Sequence, residues 1–158
     1  MQKPQIVNPP NRLRERVSGS GPISPEMVAR ADAVVKGLSA QFGTLLASEI
    51  DRLGILHANG AAAEPARRMK ITKEIFEITH DLRGQAGTFN YPLITRVGTS
   101  LCRFTETLEE CDERCYEVIR VHIEAMSAVL RHALQGDGGP LGEQIAGGLE
   151  TAVRKIMA

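Results

Sequence analysis

The sequence predicts an all-α protein, an antiparallel four-helix bundle with an additional C-terminal helix and a mobile N-terminal tail. Three observations predict it. Apolar residues recur every three or four positions from about residue 25 onward, the spacing that puts them on one helix face. Proline and glycine mark the boundaries between these runs, except at about 109–112, where neither occurs. No stretch alternates convincingly with a period of two, as a half-buried strand would. The 158 residues suffice for one domain with a core, and with 4% aromatic residues and no Trp that core has to be aliphatic.

Residues 1–23 hold Pro4, Pro9, Pro10 and Pro22 with Ser18, Gly19, Ser20 and Gly21, which predicts a mobile tail made locally basic by Arg12, Arg14 and Arg16. Ser24-Pro25-Glu26 is a helix start: a capping hydroxyl, proline at the first position and an early acid. Val28, Ala31, Val35, Leu38, Phe42, Leu45 and Leu53 follow at near-heptad spacing, predicting a first helix to about Leu56 that is ended by Asn59-Gly60. Pro65 opens a second helix whose stripe is Ile71, Ile75, Ile78, Leu82 and Phe89 and whose end is expected near Asn90. Tyr91-Pro92 marks the next boundary, because a residue before proline avoids helical dihedrals.

Leu93, Ile94, Val97, Leu101, Phe104 and Leu108 make a third stripe, followed by a turn at about 109–112. Cys115, Val118, Ile119, His122, Met126, Val129 and Ala133 make a fourth, which stops before Gly136-Asp137-Gly138-Gly139-Pro140. A last helix from about Leu141 to Met157 carries Leu141, Ile145, Leu149, Val153 and Ile156. The organisation expected is a flexible tail at 1–23, a bundle at 24–135 and a C-terminal linker and helix at 136–158.

Composition narrows the function classes. Nineteen basic and nineteen acidic residues balance, so nothing suggests a nucleic-acid footprint. No stretch approaches 18 consecutive apolar residues, and the N-terminus lacks an apolar signal core; neither a membrane span nor secretion is expected. Three cysteines cannot all pair internally, which points to reduced thiols in the cytoplasm. Cys111 and Cys115 lie one turn apart, but a metal centre needs more ligands, and none is expected.

The chemistry concentrates in His80-Asp81-Leu82-Arg83-Gly84-Gln85-Ala86-Gly87. At about 100° per residue, His80 points away from the second helix's apolar stripe, and Lys73, Phe76, Arg83, Gly84 and Gly87 share its side. Glycine inside a helix costs roughly 1 kcal/mol relative to alanine, so Gly84 and Gly87 conflict with local propensity, neither lying at an evident helix end. Their physical reading is clearance, through which another protein brings a reactive group to the imidazole. Arg83, one turn along, can neutralise an anion on the ring.

His80-Asp81-Leu82-Arg83-Gly84 resembles the His-x-x-Lys-Gly signature of histidine-containing phosphotransfer domains of bacterial phosphorelays, and Ala86 and Gly87 resemble the small residues that follow it there. The helical layout extends the resemblance over about residues 25–135. Arg83 stands where lysine is usual; the charge is kept, but a guanidinium is bulkier and holds phosphate differently. The resemblance implies that His80 accepts a phosphoryl group from a receiver-domain aspartyl phosphate and passes it to another receiver. Arg83 then stabilises the phosphate charge, and Phe76, Lys73, Gly84, Gly87 and Gln85 form the docking face. Partners implied are response-regulator receiver domains and a hybrid histidine kinase, with any divalent metal on the receiver and no cofactor here. Without a phosphate-cradling Gly-rich loop, no kinase or ATPase activity is expected. The alternative is a non-catalytic receiver- or kinase-binding module; a helical scaffold would leave His80 incidental.

The other histidines read differently. His57 is expected near a helix end, where an imidazolium favours the dipole. His122, within an apolar stripe, is expected to be buried and hydrogen-bonded, and His132 to lie at the surface.

Overall fold

A computed structural model describes residues 24–134 and 136–157. The segment read as a tail, with Arg12, Arg14 and Arg16, lies outside the described residues. Among the described residues there are five helices: α1 Pro25–Ala61, α2 Pro65–Ala86, α3 Pro92–Glu106, α4 Glu113–Arg131 and α5 Gly139–Met157. Among the described residues there is no strand, and no helix is long and apolar enough to cross a membrane.

The helix starts follow the sequence signals. Ser24 Oγ accepts the Met27 N–H at 3.2 Å. Proline opens α2 and α3, where its missing N–H has no partner to lose. Asp112 caps α4, its carboxylate accepting the Cys115 N–H at 2.7 Å, which places the third turn where it was expected.

Two helix ends differ from expectation. α1 runs through Asn59-Gly60 to Ala61. Gly60 serves there as a packing site: a Cβ at that position would lie 2.1 Å from the Tyr116 hydroxyl. Arg68 of α2 takes the freed carbonyls of this end, donating to Gly60 O at 3.3 Å and Ala61 O at 3.0 Å. α2, in contrast, stops at Ala86. The Tyr91 N–H returns to Ala86 O at 2.9 Å, and Asn90 adopts a left-handed φ of 68°. Phe89 therefore sits in a turn, yet still joins the core by stacking on Phe42 at 4.3 Å.

By its contacts the chain forms two units, Met1–Lys36 and Gly37–Ala158. In the first, the described part of α1 exposes Met27, Val28, Ala31, Val34 and Val35. The stripe expected to be core over this stretch is therefore a solvent face: heptad spacing aligns residues without saying what covers them. In the second unit α1 contributes Phe42, Leu46, Ile50 and Leu53 to the core, while Leu38 and Leu45 remain exposed. Ile71, Ile75 and Leu82 of α2, the α3 stripe from Leu93 to Phe104, and Ile119, Met126 and Val129 of α4 complete it.

α5 packs on α3 and α4, and Arg96 of α3 fastens it through Glu150 at 3.0 Å and Glu143. Its buried face is Gly142, Ala146 and Leu149. Leu141 and Ile156, expected in the stripe, are exposed. Gly142 leaves no room for a side chain: a Cβ there would lie 1.9 Å from Asp137 O and 3.2 Å from a Leu93 methyl carbon.

Candidate functional site

α2 buries two adjoining lines of side chains. One is the expected Ile71, Ile75 and Leu82, with Ile78 partly covered; the other is Thr72, Thr79 and Ala86. The second line faces α3 through Gly98. A Cβ on Gly98 would lie 3.0 Å from Arg83 Cβ and 3.5 Å from the Thr79 methyl carbon, so this glycine sets how closely the two helices approach. Thr79 Oγ1 is buried there with no hydrogen-bond partner among the described residues. His80, the next residue, falls well off both lines and points out.

The His80 side chain is 51% exposed, in the middle of a regular helix. Its Nδ1 is 3.6 Å from Asp81 Oδ1, too long for a hydrogen bond. The half-buried Phe76 lies one turn earlier with its ring centroid 5.8 Å from the imidazole. A shallow hollow joins Phe76, Glu77, His80 and Asp81 of α2 to Glu106 at the end of α3. Glu106 lies twenty-six positions from the histidine in sequence and is brought over only by the α2–α3 pairing, so no local pattern points to it. Three carboxylates thus rim the ring.

The other expected site residues divide by their angle around α2. Gly84 is exposed, and a Cβ there would meet nothing within 4 Å. Gly87 is exposed too, but it caps the helix C-terminus rather than interrupting its interior, and its Cβ would lie 3.4 Å from Thr95 Oγ1. Its interior-helix cost therefore does not arise, although its φ of −61° is one that any residue adopts. Arg83 is half-buried along the α3 seam. Its positive charge acts on the buried Cys102 thiol, opposing the burial that pushes that thiol up to about 11. Lys73 lines a separate hollow with Met69, Lys70, Glu109 and Glu110. Gln85 lines a different hollow, with Leu45, Glu49 and Arg52 of α1, which adjoins the His80 hollow through Glu77 and Asp81. The structure thus gathers His80 and Phe76 at one hollow with Gly84 open beside them, and sets Lys73 and Gln85 elsewhere.

The remaining histidines are structural or peripheral. His122 is fully buried. Its Nδ1 lies 2.7 Å from Val118 O, which can only accept, so Nδ1 carries the proton and Nε2 accepts from Ser100 Oγ at 3.0 Å. Burial lowers its pKa below the ordinary histidine value. His57 stacks on Tyr116 at 4.1 Å and donates from Nε2 to Tyr116 O at 3.1 Å, while the Tyr116 hydroxyl donates back to His57 O. Burial lowers its pKa as well, so it serves as a neutral packing group rather than the imidazolium expected at a helix end. His132 is exposed at the α4 C-cap. The three cysteines are free thiols, and among the described residues no cluster of His, Cys, Asp and Glu is arranged to hold a metal ion.

No family model, curated protein or solved structure matches this chain.

Proposed function

We propose that the protein is a cytoplasmic phosphorelay intermediate of the histidine-containing phosphotransfer type. α1 to α4 form its four-helix bundle and α5 is the additional helix. His80 accepts a phosphoryl group from the aspartyl phosphate of a receiver domain and returns it to another receiver. The observation that carries this reading is a half-exposed imidazole in mid-helix, with an open glycine one turn after it and an aromatic ring one turn before it. A neutral imidazole is a good nucleophile near neutral pH. With Nδ1 turned toward Asp81, Nε2 is the attacking atom: an N–P bond forms, the acyl phosphate P–O bond breaks, and the aspartate leaves with the electron pair. The return step reverses this.

Phe76 supplies apolar contact to the docking partner, and the vacant side of Gly84 admits it. Arg83 supplies cationic charge from the seam, with its aliphatic stem against Gly98. The carboxylate rim of Glu77, Asp81 and Glu106 complements a cation carried by the receiver. That same rim favours one second reading, a receiver- or kinase-binding module without turnover, because three nearby carboxylates oppose a phosphate dianion on the ring.

Incubation with a phosphorylated receiver separates the two. Transfer places an acid-labile, base-stable label on the wild type and none on His80→Gln, which keeps the size and helix propensity of the residue. Equal labelling of both proteins overturns the proposal; complex formation without label establishes the binding module instead.

A further inference from the structure

The geometry points to a second binding site, for a sugar phosphate, between α3 and α5. A hollow of about 450 Å³ opens there, within the range that takes a small organic ligand. Its charge is uneven. The chain as a whole is balanced, nineteen basic residues against nineteen acidic, yet Arg96, Arg103 and Arg154 meet in this hollow with Glu150 as the one carboxylate of its lining. Arg96 is already matched by Glu143 and Glu150. Arg103 and Arg154 form no ion pair among the described residues; Arg154 donates only to the Thr151 hydroxyl, at 3.0 Å.

Order along the helices brings those two free cations together. Leu93 lies against Gly142 near the start of both helices, Arg96 then meets Glu150, and Arg103 of α3 and Arg154 of α5 follow. Two guanidiniums from different helices can hold the oxygens of a phosphate dianion from both sides, with charge-assisted hydrogen bonds. The rest of the lining suits hydroxyl groups. Ser100 gives its proton to His122 Nε2 at 3.0 Å, and Thr99 gives its proton to Thr95 O at 2.7 Å. Both hydroxyl oxygens therefore offer the hollow only lone pairs, and Glu150 is an acceptor as well. Sugar hydroxyls supply the donors that these acceptors need. Val153 is the one apolar residue of the lining, and no aromatic ring is there for a base to stack on, which favours a sugar phosphate over a nucleotide. This inference is independent of His80, which lies on a different helix.

Calorimetric titration of the full chain at fixed ionic strength tests it, with glucose 6-phosphate, inorganic phosphate and glucose as probes. Glucose 6-phosphate should bind tightest, phosphate about tenfold more weakly, and glucose not at all up to about 10 mM. Arg103 and Arg154 are exposed, so circular dichroism should show Arg103→Gln and Arg154→Gln as helical as the wild type. Each should weaken glucose 6-phosphate by about tenfold. Arg67→Gln, which removes an exposed cation of α2, should leave the affinity unchanged. No binding of glucose 6-phosphate up to about 10 mM, equal affinity for phosphate and the sugar phosphate, or affinity that survives the loss of either arginine would each overturn the proposal.

Discussion

His80 and His122 both sit in the middle of long helices, and almost everything around them differs. At His122 both ring nitrogens are bonded, the side chain is sealed, and burial favours the neutral form. At His80 neither nitrogen has a hydrogen-bond partner among the described residues, half the side chain faces solvent, and Gly84, one turn on, carries no side chain. The first ring holds α4 to α3 and has no capacity left to react. The second contributes little to the core and leaves its ring open. On the proposed function, the contrast separates a histidine that serves packing from one available for chemistry: residue type is the same, and partner satisfaction differs.

His122→Ala should break the comparison most visibly. It removes a buried ring and its bond to Ser100, and should cost about 3 kcal/mol in chemical denaturation, while labelling per folded molecule at His80 stays unchanged. Gly98→Leu comes next. The added side chain drives into Arg83 and Thr79 and should cost about 2 kcal/mol by separating α2 from α3, lowering labelling through the displaced Arg83 and Glu106.

Gly84→Leu should act oppositely. Its side chain meets open space, so stability should rise by up to about 1 kcal/mol through helix propensity, yet receiver docking should weaken; unchanged transfer would remove the clearance argument. Thr79→Val, which deletes a buried hydroxyl lacking a partner at nearly constant volume, should leave stability unchanged or raise it by up to about 1 kcal/mol, with transfer unaltered.

Acid should act on the buried rings as well. His122 and His57 have folded pKa values below the ordinary 6.5, so the unfolded chain binds more protons than the folded one as pH falls past 6.5. Their contribution is complete above that value and is lost as pH falls through the folded pKa values. His122→Gln should flatten the decline in stability between pH 7 and 5.

How much of this was legible in the sequence follows from the physics of each signal. Ser24, Pro65, Pro92 and Asp112 act on the adjacent backbone, so the helix starts could be read locally. The burial and bonding of His122 and the outward direction of His80 follow from position on a helix and were equally accessible. The exposure of Val28, Val35 and Leu38 was not, because periodicity aligns a face without naming its cover. The end of α2 at Ala86 was hidden because Phe89 continues the apolar spacing into the turn. Glu106, Gly98 and the seam position of Arg83 depend on how α2 meets α3, a long-range pairing that no local pattern encodes.

The most direct test of the central claim is to locate the phosphate itself. Wild-type protein is incubated with a phosphorylated receiver, digested at alkaline pH, and its phosphopeptides fragmented by electron transfer in a mass spectrometer. The account predicts phosphate on the imidazole of His80 and on no other histidine. Phosphate on His57, His122 or His132, or none on the chain at all, would contradict it.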